Sequence, residues 1–351
     1  MKPVRIGIIG VGNIANNAHI PMLLQCEQAE ITAICDVDEG NLRATGDRLG
    51  LDEAHRFFSY QELIACQDVD AVEICTPNYL HVPMALDVLA AGKKLNIEKP
   101  LGISAQEVLQ LGQAMEKCNA EAMMCYSYRF KPAVRYAKAL LEEGILGKIL
   151  DVQVQYLKDS ALIPGRKLEW RFIKRFGGTG VLGDLGAHLI DMARLLIGEF
   201  KAVCGSTQII VKERQRLDGS GMGPVETDDE CSFLAEMGDG VPATFHITRA
   251  AYGHHNTILY DIYGENGMIS FNLDNPTVLG VACPGRFPDH PQLHDVEVPQ
   301  EYGLITQEGA FVDFMLGKKC HWFPSVKDGI RCQMILDAVE RSAQQRRWIT
   351  L

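Results

Sequence analysis

Val4-Arg5-Ile6-Gly7-Ile8-Ile9-Gly10-Val11-Gly12-Asn13-Ile14-Ala15 is the stretch that decides the fold of this 351-residue chain. A run of strand character meets a glycine pair, and a helical pattern follows at once. The spacing is G-x-G-x-x-A. Its glycines permit a tight turn and a close approach of backbone to a pyrophosphate, and Ala15 lets helix and strand pack closely. Free N–H groups at the helix start then hold negative charge. Gly10, Gly12, Asn13, Ile14 and Ala15 are therefore expected to bind a dinucleotide. The next strand-like run, Ile31 to Cys35, ends at Asp36, where a carboxylate binds ribose hydroxyls. A negative charge there repels a 2′-phosphate, so NAD is favoured over NADP. Asp38 is a competing candidate for this role, and a solvated turn is the plain alternative.

Further along, Ala71 to Cys75 ends at Thr76-Pro77, Lys94 to Ile97 ends at Glu98-Lys99-Pro100, and Ala122 to Tyr126 reads as a last strand. Helical patterns fall between them, such as Pro83 to Ala91 with Gly92 as terminator. Alternation at this spacing predicts a doubly wound parallel sheet, a Rossmann domain over residues 1–125. The pattern changes after Tyr128. Lys131 to Glu143 reads as an amphipathic helix, and Asp151 to Tyr156 alternates with period two. Strand-like runs follow at Gly205 to Val211, Glu230 to Met237, Ala243 to Arg249, Thr257 to Tyr263 and Met268 to Phe271. Gly264-Glu265-Asn266-Gly267 joins the last two as a hairpin. Residues 126–351 are thus expected to form an α/β domain with a large open, mostly antiparallel sheet, one face of which is free to pack on another subunit. Leu217 to Pro224 reads as a mobile surface loop. A final helix is expected from Val326 to Gln344, packing back on the first domain.

Composition narrows the function classes. A net charge of −11 argues against nucleic acid or an anionic membrane as partner. No apolar run is long enough to span a bilayer, and the N-terminus lacks the pattern of a signal peptide. The 11 cysteines include no Cys-x-x-Cys pair, and Cys35, Cys75 and Cys125 fall in apolar runs. Buried reduced thiols in a cytoplasmic protein are expected, with no metal site.

Two segments carry acid–base chemistry. Lys99 closes a strand, where an ammonium group binds an alcohol oxygen and eases its deprotonation; a surface lysine is the bland alternative. Gly177-Gly178-Thr179-Gly180 leads into a helix expected from Leu182 to Ile197. There Asp184, His188 and Asp191 stand at i, i+4 and i+7, on one face. Gly183 and Gly186 are poor helix formers, so their presence points to close approach by a flat ring or another backbone, a bound nicotinamide being the candidate. Thr76, Pro77, Asn78 and His81 follow the third major strand, at the sheet edge where cofactors bind. Tyr128, Arg129, Arg166, Trp170, Arg171, Tyr252, His254 and His255 are candidate substrate contacts, because aromatic faces and polar tips suit a polyhydroxylated ring. Arg129 reads equally as an ion-pair partner. Adjacent histidines on a strand point apart, so His254 and His255 do not share a metal.

The order and spacing of Gly10 to Ala15, Thr76 to His81, Glu98-Lys99-Pro100, Trp170-Arg171 and Gly178 to Asp191 resemble those of the glucose–fructose oxidoreductase, inositol dehydrogenase and rhizopine-catabolism (Gfo/Idh/MocA) family across nearly the whole chain. The resemblance implies a Rossmann domain, an α/β domain whose open sheet forms homodimers or homotetramers, and Lys99, Asp184 and His188 as the catalytic set. It adds Glu98 and Lys99 to the cofactor contacts and places Trp170 and Arg171 near the nicotinamide. Lys99, Tyr128, Arg129, Arg166, Asp184, His188, Tyr252 and His255 form the expected substrate contacts. The implied activity is NAD-dependent oxidation of a secondary alcohol on a sugar, sugar derivative or cyclitol. Competing readings are an NAD-dependent glycosidase working by transient oxidation and a non-enzymatic NAD-binding sensor.

Overall fold

β1 (Val4–Ile9), β2 (Ala29–Cys35), β3 (Arg56–Phe57), β4 (Ala71–Ile74), β5 (Lys94–Ile97) and β6 (Met123–Met124) form one parallel sheet in the order β3-β2-β1-β4-β5-β6. The computed structural model describes residues 2–286, 292–318, 320 and 322–351. The sheet belongs to the first of two units, Met1–Ser127 with Ile305–Ile330; the second comprises Tyr128–Leu304 with Arg331–Leu351. Ile6, Ile8, Val72, Ile74, Leu95 and Ile97 are fully buried, as expected for strands covered on both faces. Strand order reverses at β1, and the carboxyl ends of β1 and β4 at such a reversal form the usual ligand crevice. β3 escaped the sequence reading because two residues show no periodicity.

The helix after the glycine turn does not start as an ordinary α-helix. Ala15–His19 is a π-helical turn that passes into the α-helical residues Ile20–Leu23. A second π-helical turn, Leu182–Gly186, precedes the α-helix Ala187–Leu196. Such wide turns occur mostly at functional sites.

The second unit holds β7 (Ile149–Leu157), β8 (Phe200–Gln208), β9 (Glu213–Gln215), β10 (Met222–Pro224), β11 (Glu230–Met237), β12 (Val241–Thr248), β13 (Thr257–Gly264), β14 (Gly267–Asn272), β15 (Val278–Ala282), β16 (His294–Glu297) and β17 (Ile349–Thr350). Nine of them make one sheet, ordered β16-β15-β14-β13-β7-β12-β11-β8-β17. β7 and β12 pair in parallel and the other neighbours antiparallel. The alternation of β7 puts Val152, Val154 and Tyr156 in the core, while Gln153 and Gln155 face outward.

Three expectations need correction. Part of Leu217 to Pro224 is ordered structure: β10 pairs with β9 as a short hairpin, which lacks the length for a visible alternation. β15 and β16 extend the sheet beyond the last expected strand. The final helix, Val326–Gln345, is divided between the units, with Ile330 in the first and Arg331 in the second. All eleven cysteines are free, and burial pushes the Cys35 and Cys75 thiols up to about 12. No helix among the described residues is long and apolar enough to cross a membrane.

Candidate active site

In the first unit the glycine turn sits at the end of β1. Gly10 has φ +88°, and a Cβ there would lie 2.8 Å from the Cys75 carbonyl oxygen, so only glycine fits. Gly12 faces open space: no heavy atom comes within 4 Å of where its Cβ would stand. Asn13 and Ile14 are exposed, whereas Ala15 is fully buried against the sheet. This bare, open backbone fits a diphosphate. The Asp36 carboxylate accepts the Val11 N–H at 2.9 Å and the Asp38 N–H at 2.9 Å, tying the end of β2 to the glycine turn. Asp38 caps the following helix by accepting the Asn41 N–H, which accounts for it as a structural residue.

Past β4, Thr76 and Pro77 are half-buried and Asn78 is buried. His81 is wholly buried, with Nδ1 2.7 Å from the Pro100 carbonyl oxygen and Nε2 2.8 Å from that of Thr76. It therefore joins the two loops that follow β4 and β5 and is removed from direct ligand contact. Burial holds its pKa below the ordinary value, with the two carbonyls opposing.

Lys99 is half-buried, beside a cis bond to Pro100. Glu98, expected to touch the cofactor, is instead turned into the protein. Its Oε2 accepts the Lys99 N–H at 2.9 Å, and its Oε1 lies 2.9 Å from Nε2 of His19. The His19 Nδ1 faces Glu308 Oε1 at 2.9 Å and Glu73 Oε1 at 3.2 Å. His19 is 1% exposed, and Glu73 and Glu308 are fully buried. Burial opposes charge on His19, but Cys75, Glu73 and Glu308 outweigh it and hold its pKa well above the usual range. Burial and the neighbouring Glu73 push Glu308 up to about 7. Sequence reasoning missed this group. One signal was available: Glu73 is the one ionisable residue of β4, a strand buried throughout.

In the second unit His188 is 8% exposed, and the Tyr128 ring stands edge-on to it, 4.5 Å between centroids. Tyr128, Tyr156 and Asn256 close a ring of hydrogen bonds. The Tyr156 hydroxyl donates to Asn256 Oδ1 at 2.8 Å, the Asn256 amide donates to the Tyr128 oxygen at 3.1 Å, and the two hydroxyls are 2.9 Å apart. Since Tyr156 spends its proton on the amide, Tyr128 donates to Tyr156. Burial, reinforced by Tyr128 and Asp184, holds Tyr156 well above the ordinary phenol range, so it stays protonated. Sequence reading missed Tyr156 and Asn256. Tyr156 looked like the last inward residue of β7, and Asn256 stood hidden behind a histidine pair.

Of the three residues expected on one helix face, His188 and Asp191 lie in the α-helix Ala187–Leu196. Asp184 lies in the π-helical turn, and Asp191, 1% exposed, is paired with Arg129. Arg129 Nε donates to Asp191 Oδ2 at 2.7 Å and a second guanidinium nitrogen to Oδ1, so Arg129 is a buried structural cation and not a substrate contact. Gly186 has a different reason from the one expected: a Cβ there would lie 2.9 Å from the Ile247 side chain of β12, so it lets the helix close on the sheet.

Trp170 and Arg171 stack on each other, the guanidinium 4.2 Å from the ring centroid, and both are partly exposed. Arg166 is pinned over Phe172 and bonded to the Ser160 carbonyl and Glu169, which commits its guanidinium to its own loop. Tyr252 is 77% exposed, His255 is exposed and paired with Asp159, and His254 faces Thr257. None of these three is built into the His188 group.

Two family models match the chain: an oxidoreductase family with NAD-binding Rossmann fold over residues 4–126, and the GFO/IDH/MocA C-terminal domain over residues 134–270. The chain is 32% identical to levoglucosan dehydrogenase of Pseudarthrobacter phenanthrenivorans over 83% of its length and 82% of the relative. It is 27% identical to glucose-6-phosphate 3-dehydrogenase of Bacillus subtilis over 95% of its length and 94% of the relative. Among solved structures, levoglucosan dehydrogenase in complex with NADH superposes with a TM-score of 0.89 at 30% identity, covering 99% of both chains.

Proposed function

The chain belongs to the Gfo/Idh/MocA family of oxidoreductases and is an NAD-binding dehydrogenase, and on that premise we propose that it oxidises a secondary alcohol of a sugar, sugar derivative or cyclitol. The observation that carries this reading is the presence of Lys99 at the end of β5 and of His188 in a cradle of hydroxyl and amide groups, on a chain similar to a levoglucosan dehydrogenase. The names of two relatives, levoglucosan dehydrogenase and glucose-6-phosphate 3-dehydrogenase, support a carbohydrate substrate.

Bound NAD supplies the hydride acceptor. The chain's own residues then divide the rest. Gly10, Gly12, Asn13, Ile14 and Ala15 hold the diphosphate on bare backbone, and Asp36 takes the ribose hydroxyls and disfavours a 2′-phosphate. Lys99 binds the reacting oxygen and stabilises negative charge as it develops there. His188 accepts the hydroxyl proton as general base. Asp184 orients a neighbouring hydroxyl. Tyr128 fixes the plane of the His188 ring, and its hydrogen-bond partners Tyr156 and Asn256 fix Tyr128. Trp170 and Arg171, stacked and partly exposed, are assigned to the nicotinamide end of the cofactor.

Free cysteines support a reducing, cytoplasmic setting. The outer face of the nine-stranded sheet, which exposes Leu150 and Leu234, supports assembly as a homodimer or homotetramer. Light scattering coupled to gel filtration checks that assembly, and a monomer refutes it.

The direct test is NADH absorbance with purified protein, NAD or NADP, and a panel of anhydrosugars, aldoses, sugar phosphates and inositols. Turnover of one class with NAD supports the assignment. Silence across the panel, with NADH binding demonstrated, counts against it, and release of an aglycone without net NADH points to a glycosidase.

A further inference from the structure

We propose that His19 is a positioning residue for Lys99, acting through Glu98. The inference rests on the reading of Lys99 as the residue that binds the reacting oxygen. One carboxylate links the two: Glu98 Oε1 meets His19 Nε2 at 2.9 Å, while Oε2 accepts the Lys99 backbone N–H at 2.9 Å. On the other side of the ring Nδ1 stands at ion-pair distance from Glu308 and Glu73, 2.9 and 3.2 Å, without an aligned hydrogen bond to either. Asn96 donates to Glu73, and Gln307 donates to Glu308 at 2.8 Å, so the outer carboxylates are themselves held.

This arrangement is an expensive way to build a core. Buried ionic groups are frequently no more stabilising than well-packed apolar side chains of the same volume. Every other position of β4 is apolar, as are Leu95 and Ile97 of β5, so an apolar solution was available to this sheet. What the ionic solution adds is direction. The two aligned bonds, His19 Nε2 to Glu98 and the Lys99 N–H to Glu98, each fix an angle as well as a distance, and the second ends on the backbone of Lys99. A lysine side chain is long and rotatable, so a fixed backbone is what gives its ammonium group a defined starting point.

A metal centre is the competing use of His19, Glu98 and Cys125, or of His19, Glu73 and Cys75. Both imidazole nitrogens instead face carboxylate oxygens at hydrogen-bond distance, and the carboxylates favour the protonated ring. A protonated imidazole has no lone pair for a metal.

The test compares wild type, His19→Leu, His19→Gln and Lys99→Met on the substrate found by the absorbance panel. NADH affinity is followed by fluorescence, folding by thermal melting, and His19 by proton NMR of ¹⁵N-histidine-labelled protein. In wild type, two imidazole N–H signals on one ring are expected far downfield at neutral pH, and both vanish in the His19 variants. His19→Leu is expected to lower kcat by about 100-fold, the scale of a 1 Å misplacement, with NADH affinity within about twofold. His19→Gln, which keeps a donor toward Glu98, is expected to recover part of the loss. Turnover of His19→Leu close to wild type, with Lys99→Met inactive, overturns the proposal. So does a parallel loss of NADH binding and turnover, or a His19 ring without two bound protons. An active Lys99→Met overturns the reading of Lys99 instead.

Discussion

Around Lys99 the first unit buries an imidazole among three carboxylates; around His188 the second unit uses two phenols and an amide. The first network is ionic, with a proton balance tied to pH. The second is neutral, and its strongest titrating member, Tyr156, is held protonated far above neutral pH. One buried ion pair of the second unit, Arg129–Asp191, involves the residue one helical turn after His188. The proposed base thus stands beside hydrogen-bonded phenols and an amide, whereas the backbone of the proposed oxygen-binding lysine hangs from an ionic frame.

The sharpest way to break this contrast is at the proposed base. His188→Ala should lower kcat by about 10²- to 10⁴-fold with NADH binding nearly unchanged, measured by steady-state kinetics and fluorescence titration. Equal loss of both would make His188 a structural residue. Next in size is the buried ion pair. Arg129→Leu leaves Asp191 charged and enclosed, and should destabilise the fold by about 3–5 kcal/mol in urea unfolding; a near-neutral result would show that Asp191 reaches water.

The ionic network gives a pH signature of its own. The folded value of Glu308, about 7, lies above its ordinary 4.5, so the folded protein holds that proton more tightly than the unfolded chain. Its contribution to stability is full below pH 4.5 and is lost as pH rises through 7, at up to about 1.4 kcal/mol per pH unit. Glu308→Gln should flatten the melting temperature across that window. An unchanged slope would assign the proton to another member of the network. Tyr156→Phe should have the smallest effect. Losing one link of the Tyr128 ring should cost about 1 kcal/mol and lower kcat modestly, and an effect as large as His188→Ala would make Tyr156 part of the proton path.

Legibility in the sequence followed the range of the interactions. β1, β5 and β11 were readable to the residue because local hydrophobic patterning sets them. The glycine turn was readable because its spacing is local, and Gly10 is demanded by backbone geometry alone. The supports of both candidate groups were not. His19 and Glu308 are far apart in the chain, as are Tyr128 and Asn256, and no periodicity links such partners. Glu98 and Arg129 show the reverse error. A charged side chain next to a motif reads as a ligand contact, yet the fold had already paired both internally. The π-helical turn at Leu182–Gly186, which holds Asp184, likewise has no signature in the spacing of Asp184, His188 and Asp191.

The other π-helical turn, Ala15–His19, has a consequence for how the chain tolerates change in length. A π turn is an α-helix with one residue inserted, and each residue advances a helix by about 100°. Deleting Asn17, while keeping the Asn16 bonds to the Val11 and Gly12 carbonyls, would remove the extra residue of the turn and swing the imidazole out of line with Glu98. A protein so shortened would keep every side chain of the ionic group and lose their meeting point, reaching through chain length the loss of aim that His19→Leu reaches by substitution.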